Sequence, residues 1–198
     1  MSGSNHPPLS LYSAHGHRKY LNGDERRRFV VVAAALPRRE LGTLCLVLAH
    51  TGCRISEALA LTYAAVSSGD GVVAIRCLKK RGNRLVYREL PLPPEVVEIL
   101  RTVHAPLDGD PHQKLWRLSR SRAWCLVKTV MRSAGIAPGP HATPKGLRHG
   151  FGLHAIRSGV PLNLVQKWLG HASLATTAIY LQAVGAEERE FAARMWDY

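Results

Sequence analysis

The chain has 198 residues, 46% hydrophobic and 21% charged, so it can bury a sizeable core and has the composition of a soluble globular protein. Its 27 Lys and Arg outnumber 14 Asp and Glu, and a formal charge of +13 points to a polyanionic partner such as nucleic acid. No apolar run approaches the roughly 18 residues of a membrane span, and the first twenty residues lack the apolar stretch of a signal peptide, so neither a spanning nor an exported protein is expected.

Residues 1–19 are rich in Gly, Ser, His and Pro without an apolar period and read as a flexible segment. Asn22 and Glu25 have the spacing of a capping box, which opens a first helix over 23–36 with Phe29, Val32, Ala33 and Leu36 on one side. The run 39–50 is almost wholly apolar and predicts a central core helix ending near Thr51-Gly52. A short helix follows, with Ile55, Ala58 and Leu59 inward. Residues 71–77 and 84–92 are β-rich and separated by a basic turn, which predicts a hairpin and the one clear β element. Pro93-Pro94 opens a helix to 104, and Ser119 or Ser121 opens another to 134. Thr143-Pro144 starts a helix over 144–158, Pro161 one to 169, and Ser173 caps one carrying Ala175 to Leu181. A last helix is expected over 186–196. No internal repeat or dividing linker is visible, and the fold class is mainly α with a small antiparallel β-hairpin, that is α+β.

Cys45, Cys53, Cys77 and Cys125 form no C-x-x-C pair, so neither a zinc finger nor a disulfide framework is indicated, and they read as buried, reduced thiols of a cytoplasmic protein. Without an H-E-x-x-H helix, no protein-held catalytic metal is expected. Between Asp110 and Glu187 lie 76 residues without a single Asp or Glu but with ten Lys and Arg. A solvated surface mixes its signs, so this stretch is expected to lie along phosphates. The same absence removes the paired carboxylates that a two-metal nuclease or a glycosidase needs.

Four segments in order, TGCRISEALAL at 51–61, LKKRGNR at 78–84, PKGLRHGFG at 144–152 and LGHASLATTAIY at 169–180, resemble the catalytic domain of the tyrosine recombinases, the phage integrase family. Arg148 precedes His171 by 23 residues and His171 precedes Tyr180 by 9, spacings that agree with the family pattern. The resemblance implies a site-specific DNA recombinase that cuts one strand with a tyrosine, leaving a 3′-phosphotyrosyl link and a free 5′-hydroxyl, and later religates it. It needs no metal or nucleotide cofactor, because the bond energy is kept in the link. Arg54 and Arg148 would clamp the non-bridging phosphate oxygens, for which planar, permanently charged guanidinium groups are suited. Tyr180 would be the nucleophile. His171 would hydrogen-bond the phosphate or take up the tyrosine proton.

The family places a lysine general acid on the hairpin turn; the K-x-G pattern selects Lys80, ahead of Arg81-Gly82, with Lys79 as the alternative. Both lysines also read as plain phosphate contacts. The chain departs from the family at Lys145, where the H-x-x-R-H box usually begins with histidine. An ammonium donates to a phosphate but has no lone pair with which to accept a proton, so proton uptake from Tyr180 would fall more to His171. His149 is expected to be a structural partner of the site, and Glu57 to orient a neighbouring basic group, with a simple Arg54–Glu57 helix-surface pair as the plain alternative.

The resemblance spans residues 20–185 as catalytic domain. With only about 20 residues ahead of it, no N-terminal core-binding domain is expected, a layout similar to the short invertases of fimbrial phase variation. Residues 186–198 would form an amphipathic helix, packed on its own domain or exchanged between protomers. The partners implied are double-stranded DNA, a homotetramer on paired sites from a monomer in solution, and accessory DNA-binding proteins or a partner recombinase. A bacterial, phage or plasmid protein working in the cytoplasm is expected. Two other readings stay open: a catalytically silent DNA-binding regulator, and type IB topoisomerase-like strand relaxation.

Overall fold

The apolar run 39–51 can be a helix only if every face of it is covered, and the architecture is built around that requirement. The structure is a computed structural model and describes residues 10–77, 86–106 and 109–183. Helix α1 (Gly23–Ala34) starts on the expected capping box: Asn22 accepts from the Glu25 amide, and the Glu25 carboxylate accepts from the Asn22 amide. It packs along α2 (Arg39–Thr51), in which all but four residues are buried. Helix α6 (Pro144–Arg157) and α4 (Pro94–Val103) cover the other sides of α2. Full burial of a leucine such as Leu44 or Leu48 contributes about 1.5–3 kcal/mol.

A three-stranded antiparallel sheet, β1 (Val66–Ser67), β2 (Val72–Arg76) and β3 (Tyr87–Pro91), stands beside this layer in the order β1-β2-β3. The β2–β3 hairpin is the predicted one, with Ile75 opposite Arg88 and Val73 opposite Leu90. Strand β1 has only two residues, too few to show the alternation by which strands are recognised. Helices α3 (Ile55–Ala58), α5 (Arg120–Ser133), α7 (Leu162–Leu169) and α8 (Leu174–Ala178) complete the described structure. Ser119, Thr143 and Ser173 cap α5, α6 and α8 with their side chains, as their positions predict. The chain closes as a 3₁₀ turn over Ile179–Ala183, where a helix to Leu181 was expected. The expected helix over 186–196 lies outside the described residues.

The expectation of flexibility through residue 19 does not extend to residues 10–19. Tyr12 and Arg18 form an antiparallel bridge, Leu11 is buried, and Arg18 pairs with the Glu25 carboxylate. The Leu21 amide then donates to the Gly146 carbonyl, fastening this strap to the first turn of α6. Leu11 belongs to a second apolar cluster with Phe151, Ile156, Val165, Leu169 and Tyr180, beneath α6 and α7.

Gly52 ends α2 in the left-handed conformation with φ 59°. A β-carbon there would lie 2.5 Å from Phe151 Cδ1, so both the backbone and the space demand glycine. Gly52→Ala should therefore destabilise the fold by about 1–2 kcal/mol for the backbone and a further ~1–3 kcal/mol for the overlap. Urea unfolding of the variant beside wild type measures this, and an unchanged midpoint would contradict the packing described.

Candidate active site

The break after α2 carries the first functional group. Arg54 follows Gly52 by two residues, and its backbone amide and guanidinium both donate to the Glu57 carboxylate, each at 2.9 Å. Glu57 itself is buried, and its second oxygen also accepts from Arg88 Nη2 at 2.7 Å. Burial alone pushes the Glu57 carboxyl up, but the Arg88 hydrogen bond, the Arg54 amide and the two guanidinium charges hold it below its ordinary range. Glu57 thus faces one arginine inward and one toward the cleft. The Arg54–Glu57 pair anticipated as the plain alternative exists, yet the Arg54 side chain remains one-third exposed and lines the cleft.

Arg148 comes from the middle of α6 and is almost fully buried. Its Nη1 donates to the Gly52 carbonyl and its Nη2 to the Leu169 carbonyl, both at 2.7 Å. These carbonyls belong to the C-terminal ends of α2 and α7, where backbone oxygens lack helical partners and the helix dipole is negative. Burial, followed by repulsion from Arg54, pulls Arg148 down to about 10, which leaves it charged at neutral pH. Two carbonyl bonds use two of the five guanidinium N–H groups and leave three.

Tyr180 lies in the 3₁₀ turn and has no exposed surface. Its ring fills the space over Gly152, where a β-carbon would come within 2.5 Å of Tyr180 Cζ. Its hydroxyl is 3.2 Å from His149 Nδ1, and the two rings meet edge to face. His171 stacks on the Tyr180 ring with centroids 6.4 Å apart, while its own Nδ1 is 2.9 Å from Thr177 Oγ1. The histidine at the tyrosine hydroxyl is therefore His149, and His171 faces the ring. Burial pushes the Tyr180 phenol up to about 12 against the pull of Arg148 and Arg54. Burial also lowers His149 to about 4, helped by Lys145, Arg148 and Lys19, and lowers His171 to about 3, helped by Arg148 and Arg54.

Arg54, Arg120, Lys145, Arg148, His149 and His171 together line a cleft of about 630 Å³. Among the described residues no carboxylate lines it, and those that do make its walls basic. Beyond Arg54 and His171 a second depression of about 590 Å³ continues past Glu57, Arg88 and Lys167 to Cys77 and Val86. Cys77 and Val86 close the base of the hairpin by a 2.8 Å backbone bond. Lys79 and Lys80, two and three residues beyond Cys77, lie outside the described residues.

Arg88 is the site residue that sequence reasoning passes over. Besides Glu57, its Nε donates to the Trp168 carbonyl at 2.7 Å and its Nη1 lies 3.2 Å from Cys77 Sγ. The available signal was strand alternation, since Arg88 shares the buried face of β3 with Leu90.

The sequence model of the phage integrase family matches residues 19–186. The chain is 37% identical over 141 residues to the tyrosine recombinase XerD of Neisseria meningitidis serogroup B, covering 66% of this chain and 46% of that protein. It is 30% identical over 155 residues to the tyrosine recombinase XerA of Pyrococcus furiosus, covering 74% and 51%. The chain thus spans about half the length of these curated relatives. A crystal structure of XerA recombinase superposes with a TM-score of 0.72 at 29% identity, over 89% of this chain and 64% of that one. XerH recombinase in a post-cleavage complex with a palindromic difH substrate gives 0.70 at 25% identity, over 91% and 54%.

Free imidazoles titrate near 6.5, so between that value and about 4 the unfolded chain binds protons that folded His149 and His171 do not. Stability is then highest above about pH 6.5 and falls as pH drops toward 4. Glu57, held below its ordinary range, adds a further loss below about pH 4.3. Urea midpoints measured from pH 8 to 4 should decline through this window, and replacing His149 by Asn should flatten part of the slope. Arg88→Leu, which leaves Glu57 with a single partner, should cost about 3 kcal/mol or more in the same assay.

Proposed function

The chain belongs to the phage integrase family, and we propose that it is a site-specific DNA recombinase that cleaves and rejoins strands through a 3′-phosphotyrosyl intermediate on Tyr180. The observation that carries this reading is the convergence of Arg54, Arg148, His149 and His171 on one basic cleft, with the hydroxyl of Tyr180 immediately behind the His149 wall. The relatives named above are tyrosine recombinases, and the XerH complex holds a DNA substrate.

A phosphodiester drawn into the cleft meets Arg54 and the free N–H groups of Arg148 at its non-bridging oxygens, where negative charge grows during attack. Lys145 and His171 add donors to the same oxygens. The phenol forms the new bond to phosphorus, and the 5′ oxygen leaves with a proton from the hairpin lysine, Lys80 or Lys79. Glu57 and Arg88 act through Arg54, fixing the guanidinium that a flexible side chain alone would leave mobile.

DNA affinity would rest on the basic stretch 111–186 and fall steeply with salt. A homotetramer on paired sites, formed from monomers and assisted by accessory DNA-binding proteins or a partner recombinase, fits a reaction that exchanges four strands. Its setting would be the cytoplasm of a bacterium, with the gene on a chromosome, phage or plasmid.

A nicked suicide duplex carrying sites from the DNA that flanks the gene tests the reading. Wild type should form a covalent adduct that survives denaturing electrophoresis, and Tyr180→Phe should form none. Specific binding without an adduct, accessory proteins included, would favour a silent DNA-binding module. A substrate whose 5′ bridging oxygen is replaced by sulfur needs no proton on its leaving group. It should restore cleavage to Lys80→Ala but not to Arg148→Ala, and restoration of Lys79→Ala instead would move the general acid to Lys79.

A further inference from the structure

The attacking phenol must lose a proton as its bond to phosphorus forms, and the position that opens the K-G-L-R-H box offers no acceptor. Lys145 is an ammonium, which carries three donors and no lone pair. Arg54, Arg120 and Arg148, the other cations among the described residues of the cleft, are equally unable to accept. His171 faces the plane of the tyrosine ring and is engaged at Nδ1 by Thr177. Among the described residues His149 is the side chain within hydrogen-bond reach of the hydroxyl, and it also lines the cleft, so it touches the nucleophile on one side and the substrate space on the other.

We propose that His149 accepts the Tyr180 proton through Nδ1 when the phenol attacks, the base role that Lys145 leaves empty. The assignment rests on the recombinase reading above. In the resting chain the imidazole is neutral, with its ring proton on Nε2, and the phenol donates to Nδ1. Among the described residues, the charged or titratable groups around it are Lys145 and Arg148 on α6, Lys19 on the N-terminal strap, His171 before α8 and Tyr180 itself. Burial first, and then the three cations, keep the imidazole unprotonated at neutral pH, so the lone pair is available.

The step balances. The Oη–H bond of Tyr180 breaks and its proton passes to Nδ1, while the Oη–P bond forms. The P–O5′ bond breaks, and the 5′ oxygen takes a proton from the hairpin lysine. In religation a 5′-hydroxyl attacks phosphorus and gives its proton back to the hairpin lysine, the Oη–P bond breaks, and the imidazolium returns its proton to Oη. Because His149 borders the cleft, the phenol can move toward a phosphate while the hydrogen bond is retained.

His149→Asn keeps a polar group near Nδ1 but removes the base. On the nicked suicide duplex it should slow adduct formation by about 10²–10⁴-fold, with the deficit shrinking roughly tenfold per pH unit as pH rises toward the phenol's own ionisation. Placing 3-fluorotyrosine at position 180 makes the phenol more acidic. It should recover at least part of the loss in His149→Asn while giving Arg148→Ala nothing. Cleavage by His149→Asn at the wild-type rate, or a loss equal at every pH and untouched by fluorination, overturns the assignment while leaving the recombinase reading intact. A wild-type chain that forms no adduct on any site overturns the recombinase reading, and the role of His149 falls with it.

Discussion

Two helix ends meet at one guanidinium, and the rest of the site depends on that meeting. Arg148 bonds the last carbonyls of α2 and α7, which without it would be two negative termini converging in a poorly hydrated space. The arrangement fixes where α2 stops, because the Gly52 carbonyl is presented only by the left-handed turn. It fixes the end of α7, and with it the start of the segment that carries His171 and Tyr180. Arg54 hangs from the same break in α2. A single buried cation therefore sets the relative positions of both cleft-lining arginines and of the tyrosine turn.

Holding Arg54, Arg88 and Arg148 close together has an electrostatic cost that Glu57 relieves. It is the buried carboxylate among them, and both of its oxygens are engaged by guanidinium groups. Arg88 satisfies the inner side of that carboxylate and ties β3 to the Trp168 carbonyl near the end of α7. The base of the hairpin that bears Lys79 and Lys80 is thereby referenced to the same helix end as Arg148. The cleft keeps a surplus of positive charge on its open face, while the closed side is compensated and rigid.

Much of this was legible in the amino-acid order. Capping residues at Asn22, Ser119, Thr143 and Ser173 act over three residues or fewer, so helix starts could be read locally. The family boxes brought Arg54, Arg148, His171 and Tyr180 to notice because their spacing is fixed by the chain. What could not be read are relations that only tertiary packing creates. Arg88 looked like an ordinary polar strand residue because its partner Glu57 is 31 residues away. Leu11, one apolar residue in a polar stretch, gave no period from which burial could be inferred. His149 adjoins Arg148 in sequence, and its approach to the Tyr180 hydroxyl depends on how the last turn folds back over α6. That last contact is the observation on which the proposed role of His149 as proton acceptor rests.

The missing side chain at Gly152 has a consequence for the timing of the chemistry. The Tyr180 ring occupies the groove that an absent β-carbon leaves on α6, so a phenol reaching into the cleft vacates a slot lined by closely packed atoms. Empty space of that kind is unfavourable in proportion to its volume. The slot acts as a return spring. On the recombinase reading proposed above, it would draw the phenol back onto α6 when the phosphotyrosyl bond is released.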